Sequence, residues 1–350
     1  MTPRRLAIAC ALIAGIALSA CGGGASPAPS AASPQVAGAG ANGSSSHGPG
    51  ALILTRPKGI AEIDLASHHE KMLIPQPTSD TFLLDPAVSH DGARLAYVVQ
   101  PPPKIQGTTY DAGSDLWVAQ RDGSGAHAVF IHVHPNQLVR FPQWLDAGHL
   151  LAVVQEPVQK AGTTSVTYVL ERIDITTGQR TRLLENVLTF GLSPDRTHIV
   201  YTELVPSGGE TLDTAALDGS GAVVIVGPDQ NLLPFNSPRY SPDGATIAFT
   251  SADQTGARAG FRYVTMRSFA PQPAPSLDGL PEDVWTVPAA GGRARRVADL
   301  KEDLPALTWG RDNTHLYVLG MKALSDVDLA SGAVTRIAAG SFHGEIAWAP

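Results

Sequence analysis

Three observations predict an all-β ring of six four-stranded units. An Asp-Gly-type hairpin recurs five times, a second hairpin recurs six times, and half of an inner hairpin stands alone at the C-terminus. The inner hairpin is plainest in "RYSPDGATIAFTS" (Arg239–Ser251), where a short strand meets an Asp-Gly turn and an alternating strand leaves it. That pairing of turn and alternation is a strong short-range hairpin signal. Relatives begin at Ala87, Pro142, Gly191 and Leu307, and alignment on the turn brings Val88, Trp144, Leu192, Tyr240 and Trp309 to one position.

The second hairpin follows each of these, as in "ERIDITTGQRTRLL" and "SDVDLASGAVTRIA", and once more before the first of them, at Ala61–Ile74. The closing residues "EIAWAP" (Glu345–Pro350) are the strand-and-proline half of an inner hairpin, with Trp348 at the shared aromatic position. The partner strand is "ALILTR" (Ala51–Arg56), at the other end of the folded region. Joined, the two complete a sixth unit. The expected architecture is a six-bladed β-propeller closed by one blade shared between N- and C-terminal strands. A closed ring leaves only short, protected sheet edges. The inner turns fall at Asp91, Ala147, Asp195, Asp243 and Asp312, close to a blade period of about 40–50 residues. The widest interval, after Asp243, marks an insertion in the fifth blade.

The "SPDG"-type turn with its "IAFTS"-type strand, followed by "DVWTV" and "GGRARRV", resembles the repeats of TolB-like propellers over about Ala51–Pro350. The resemblance implies the fold and leaves function open, because such repeats serve scaffolds, sensors and enzyme accessory domains alike. TolB carries an extra N-terminal domain; here a tether stands in its place, so the likeness is to the repeats and not to TolB itself.

Composition agrees with many short strands and turns: 43% apolar, 16% charged, 35 Gly and 28 Pro in 350 residues. A net charge of −7 without a polybasic run argues against nucleic acid as a partner. Both cysteines, Cys10 and Cys21, precede the folded region, which therefore has neither a disulfide nor a thiolate metal site.

Residues 1–20 read as a signal peptide: Arg4 and Arg5, an apolar stretch from Leu6 to Leu18, then small residues. "LSAC" (Leu18–Cys21) resembles a bacterial lipobox, which implies lipidation of Cys21; ordinary cleavage after Ala20 is the alternative. Residues 21–50 then form a flexible Gly/Ala/Ser/Pro tether spanning roughly 30 Å, and residues 51–350 form the propeller. The expected location is the cell membrane or outer membrane, lipid-anchored and extracytoplasmic, with the propeller a monomer.

In such a blade the connections between second and third strands share a face with those linking blades, and here that face has all the length. Long connections on a rigid scaffold tend to carry function. The longest, Ser251–Glu282, offers Phe261, Arg262, Tyr263, Arg267 and Phe269, the aromatic and arginine chemistry of interface anchors. "IHVHPNQ" and "GSFHG" add His132, His134 and His343 to that face. Two residues apart on a strand, His132 and His134 would point the same way; hydrogen-bonded or solvated roles are expected, with no metal and no cofactor assigned. Asp91, Asp195, Asp243 and Asp312 are read as turn formers. No G-x-S-x-G, H-E-x-x-H, P-loop or C-x-x-C is present. The functional expectation is a membrane-anchored module that binds or scaffolds a protein or envelope polymer through the long-connection face. The enzyme alternative is a polysaccharide lyase or quinone-dependent sugar dehydrogenase, with His132, His134, Arg262 and His343 at the channel mouth.

Overall fold

The computed structural model describes residues 50–107, 109–160, 163–206, 209–255 and 281–349. They form six four-stranded antiparallel sheets and one small two-stranded sheet. Blade 1 joins His343–Ala349 to Ala51–Arg56, Gly59–Asp64 and Glu70–Pro75, so the shared blade expected from the sequence is present. Its clasp pairs Leu52 with Trp348 and Leu54 with Ile346. Blade 2 comprises Phe82–Val88, Arg94–Gln100, Asp115–Gln120 and His127–Phe130. Blade 3 comprises Leu138–Trp144, His149–Lys160, Thr163–Asp174 and Arg180–Glu185. Val187–Leu192, His198–Leu204, Glu210–Ala216 and Val223–Val226 make blade 4. Asn236–Tyr240, Thr246–Ser251, Glu282–Pro288 and Arg295–Glu302 make blade 5. Ala306–Trp309, His315–Leu319, Ala323–Asp328 and Val334–Ala339 make blade 6. The six inner strands touch in ring order, and blade 6 returns to blade 1.

The core lies in six wedges, each between two neighbouring blades. Ile53, Ile60 and Ala349 of blade 1 pack with Leu83, Leu95 and Tyr97 of blade 2. On the other side of the same sheet, Leu52, Leu54 and Ile346 pack with Tyr317 and Leu324 of blade 6. Successive side chains on a strand point to opposite faces, so a strand buried on both faces reads as a continuous apolar run, as in "ALIL". Each fully buried Leu or Ile contributes about 1.5–3 kcal/mol relative to exposure.

Turn chemistry sets the register. Asp91 Oδ1 accepts from the Ser89 hydroxyl (2.6 Å) and the Ala93 amide (3.0 Å), while the Arg94 amide donates to Ser89 Oγ (2.9 Å). Ser193 with Asp195 and Ser241 with Asp243 repeat the arrangement. The Ser193 hydroxyl and the Thr197 amide hold the Asp195 carboxyl down at about 2. These aspartates build turns, as expected.

Around the axis, a bulge carries one inner-strand residue into the left-handed region in four blades: Asp85 (φ 49°), Phe141 (φ 57°), Ser237 (φ 46°) and Gly344 (φ 73°). The bulges let backbone and side chains meet across blades. Asp85, fully buried, accepts from Arg140 Nε (2.6 Å), the Phe141 amide (3.2 Å) and the Glu345 amide (3.1 Å), which ties blades 2, 3 and 1. Arg239 Nη2 donates to Glu345 Oε2 (2.6 Å), Nη1 donates to Phe190 O (2.9 Å), and Ser237 Oγ donates to Glu345 (3.0 Å). Gln143 Nε2 also donates to Phe190 O (2.9 Å). One polar ring thus links blades 1 to 5. Burial pushes the Glu345 carboxyl up, against the pull of Arg239.

Gly344 is required here for two reasons. It has positive φ, and a Cβ would lie 2.7 Å from Asp85 Oδ1 and 3.0 Å from the Asp85 amide nitrogen. Gly344→Ala is expected to destabilise the protein by about 2–3 kcal/mol in chemical denaturation; an unchanged midpoint would mean that the clasp does not depend on this approach.

Asp213 in blade 4 is another buried acid, held by the Thr211 hydroxyl (2.5 Å). Burial pushes its carboxyl up to about 6; the Thr211 bond opposes the rise and Glu203 adds to it. The folded state therefore keeps a proton that the unfolded chain releases at its ordinary value of 3.8. Stability falls as pH rises from about 4 to 6, and the cost is full above that. Asp213→Asn should raise stability near pH 7.5 by about 1–3 kcal/mol and add little near pH 4. Thermal melts across that range check it.

Candidate functional site

Within each sheet, the order of strands places the inner-to-second and third-to-outer turns on one face, and the longer connections on the other. The long-connection face is best described at blade 2. There the connection after Gln100 forms a small hairpin, Lys104–Gln106 with Thr109–Asp111, in which Ile105 pairs with Tyr110.

Hydrogen bonds fix this hairpin to the segment entering blade 3. Asn136 Nδ2 donates to Tyr110 O (2.8 Å), its Oδ1 accepts from the Ala112 amide (3.0 Å), and its own amide donates to Asp111 Oδ1 (3.0 Å). Gln100 Nε2 donates to Ala112 O (3.3 Å). Gln137 then bridges the Val133 amide (2.9 Å) to Glu156 of blade 3 (3.1 Å). Glu156 is paired with Arg180 (2.6 Å), which also holds the buried Glu171.

His132 is the central strut. Its Nδ1 lies 2.6 Å from Asp115 Oδ1, its Nε2 3.4 Å from Asp111 Oδ2, and its amide donates to Asp115 (3.0 Å). The ring is 12% exposed and sits over Gly113, where a Cβ would be 2.3 Å from the ring. Burial raises the Asp111 carboxyl, but the Asn136 and Gly113 amides and His132 outweigh it and hold it below the usual range.

The expectation that His132 and His134 share a strand is corrected here. Residues 131–137 form an irregular turn anchored by Asn136 and Gln137, so His132 points inward and His134 is exposed. Flanked by two carboxylates, His132 has a positioning role. Among the described residues no three His, Cys, Asp or Glu are arranged to hold a metal ion.

With His132 turned in, the apolar residues beside it turn out. Ile131 is 62% exposed and Val133 72%, alongside Ile105 at 75%, Tyr110 at 47% and Phe82 at 52%. Phe82 pairs with Gln100 at the base of the same hairpin. These five are half of the large apolar residues exposed among those described, gathered on one sector of one face. A connected network of hydrogen bonds holds them, so little side-chain or loop ordering would accompany binding.

Sequence reasoning put "IHVHPNQ" on this face but singled out its histidines and not its apolar residues. The sector's signal was the alternation in "IHVH" and the two apolar residues, Ile105 and Tyr110, flanking the Gly107 turn in "KIQGTTYD". In blade 3 the connection between second and third strands is itself largely strand, because the hairpin runs on to Lys160 and resumes at Thr163. Phe261, Arg262, Tyr263, Arg267, Phe269 and Cys21 lie outside the described residues, as does the His343 side chain. The connection bearing the first five leaves blade 5 at Ser251 and returns at Glu282, on the long-connection face.

The fold and this platform define a six-bladed β-propeller with a structured long-connection face. No protein-family model matches the chain, and no curated protein does. Solved structures do match. TolB from Acinetobacter baumannii aligns at 14% identity and TM-score 0.54, over 87% of this chain and 67% of that one. A chain of the nidogen/laminin complex aligns at 12% identity and TM-score 0.58, over 86% of this chain and 98% of its own length. A protein described as TolB from Agrobacterium tumefaciens aligns at 13% identity and TM-score 0.51, over 84% and 90%. The fold is that of TolB-like six-bladed propellers, and identities this low show the fold alone.

Replacing His132 with Ala should loosen the platform without unfolding the ring. Hydrogen exchange of amides in residues 109–115 and 131–137 should quicken, while the melting temperature falls only slightly, as for loss of about one hydrogen-bonded pair. Unchanged exchange would make His132 a bystander.

Proposed function

We propose that the chain is a membrane-anchored, extracytoplasmic propeller that binds a protein partner through the blade 2 sector of its long-connection face. The observation that carries this reading is the rigid display of Phe82, Ile105, Tyr110, Ile131 and Val133. Exposed apolar residues gathered on one rimmed patch mark interaction sites, and aromatic anchors dominate many interfaces. Asp111, Asp115, Asn136 and Glu156 supply the polar rim. That the nidogen/laminin complex contains a propeller of this fold fits such use without naming a partner for this chain. Phe261, Arg262, Tyr263, Arg267 and Phe269 would add contacts across the channel mouth, since blades 2 and 5 face each other in the ring.

Lipidation of Cys21 and the tether of residues 21–50 would supply the anchor. Gly50 enters blade 1 at the tight-turn face, where its carbonyl accepts from the Leu65 amide (3.1 Å).

The anchor and the patch are tested separately. Cys21→Ala should shift the protein from the membrane to the soluble fraction; unchanged partitioning overturns the anchor. A photo-crosslinking residue at Val133 should give a discrete adduct in intact cells, and one at Asp218, on the tight-turn face, should not. Adducts alike from both positions, or from neither, overturn the docking face. With the photo-crosslinking residue kept at Val133, Ile105→Asp with Ile131→Asp should abolish that adduct at an unchanged melting temperature.

A further inference from the structure

Four of the connections between blades pass through a residue in the left-handed region, and three of them use asparagine there. These are Asn136 (φ 61°) between blades 2 and 3, Asn186 (φ 63°) between blades 3 and 4, and Asn231 (φ 54°) between blades 4 and 5. Asparagine is among the few non-glycine residues that enter this region readily. Between blades 5 and 6 the residue is Leu304 (φ 47°). Among the described residues, no other aliphatic side chain sits at positive φ.

Leu304 carries three costs at once. Its Cβ crowds the backbone at positive φ. It precedes Pro305, and a proline ring pushes the residue before it toward extended backbone. Its side chain is 62% exposed, so little burial offsets either cost. The surrounding fold imposes the conformation. Just before the connection, the buried Asp283 accepts from the Leu300 amide (3.0 Å) and the Lys301 amide (3.3 Å). Just after Leu304, Pro305 is buried and its carbonyl accepts from the Thr250 hydroxyl (3.2 Å). Both ends are fixed, and Leu304 is held out between them as a knob. The turn needs positive φ, but nothing in it needs leucine. Backbone held in sparsely populated regions gathers at functional sites.

The knob stands on the long-connection face, as does the blade 2 sector. In a ring of six, the connection between blades 5 and 6 lies opposite the one between blades 2 and 3, which bears Ile131 and Val133. The two apolar displays therefore flank the mouth of the axial channel. Neither is large enough alone. A stable interface takes about 20–30 residues from each side, whereas the sector offers five large apolar residues and the knob one.

We infer that Leu304 is a second anchor for the protein partner, and that this partner is a folded domain lying across the channel mouth. It reaches from the blade 2–3 connection to the blade 5–6 connection and receives Leu304 in an apolar pocket. This rests on the docking reading above and adds the partner's breadth to it. A short extended peptide seated on the blade 2 sector would leave Leu304 uncovered, with its costs unrewarded.

Photo-crosslinking residues placed singly at Val133 and at Leu304, in the full chain and in intact cells, test this. Both positions are exposed, so neither replacement disturbs the core. Both should trap the same protein, and the trapped peptides, read by mass spectrometry, should come from different segments of it. With the crosslinker kept at Val133, Leu304→Asn should cut the adduct yield at least about fivefold, since a few anchors dominate most interfaces. The same substitution should raise the melting temperature by about 1–3 °C, because it restores the residue that the other three connections use. A leucine with a packing role would lower it instead. An adduct at Val133 with none at Leu304 would overturn the inference and leave the docking reading standing. So would different proteins at the two positions, one segment at both, an undiminished Val133 adduct in Leu304→Asn, or a lower melting temperature. No adduct at Val133 would overturn both.

Discussion

The ring depends on one buried carboxylate. Asp85, in blade 2, faces three partners from two other blades: the Arg140 guanidinium and the Phe141 amide of blade 3 and the Glu345 amide of blade 1. A buried ion pair is weak evidence of stability by itself, since desolvation offsets much of its attraction. Its effect here is geometric. Removing either member leaves an uncompensated charge, which typically costs about 3–5 kcal/mol, so blades 1, 2 and 3 are held in one arrangement. Arg239 and Glu345 repeat the device on the other side of the axis. The closing strand enters both, through the backbone and the side chain of Glu345. The clasp is secured at the axis as well as along the strand ladder.

Everything radial follows from the wedges. Each sheet is buried on both faces, and each wedge is filled by alternate residues from two blades. Adhesion between blades is therefore apolar and non-directional, whereas the polar ring at the axis is directional. The first supplies most of the free energy and the second supplies the order and closure. Neither requires anything of the connections on the two faces, which leaves those connections free to carry chemistry.

That division explains what could be read from the sequence. The Ser-x-Asp turns, the aromatic or aliphatic residue at the end of each inner strand and the split blade follow from local rules, and they stood in the sequence as repeats. The polar ring did not. Asp85 and Glu345 share one repeat position, but Arg140 and Arg239 sit at two others, and the four are brought together only by closure. His132 failed for a related reason: a two-residue spacing implies a shared direction only on a strand, and Asn136 and Gln137 bend that segment into a turn. The apolar sector around Ile105 and Val133 was hidden because exposure is set by tertiary packing.

Strand order sends the short turns of every blade to one side, and the closing blade brings its N-terminal strand in on that side, with Gly50 packed beneath Trp348. The longer connections lie on the other side, with the apolar sector of blade 2 among them, so variation in those connections leaves the short-turn side and the pairing of Leu52 with Trp348 intact.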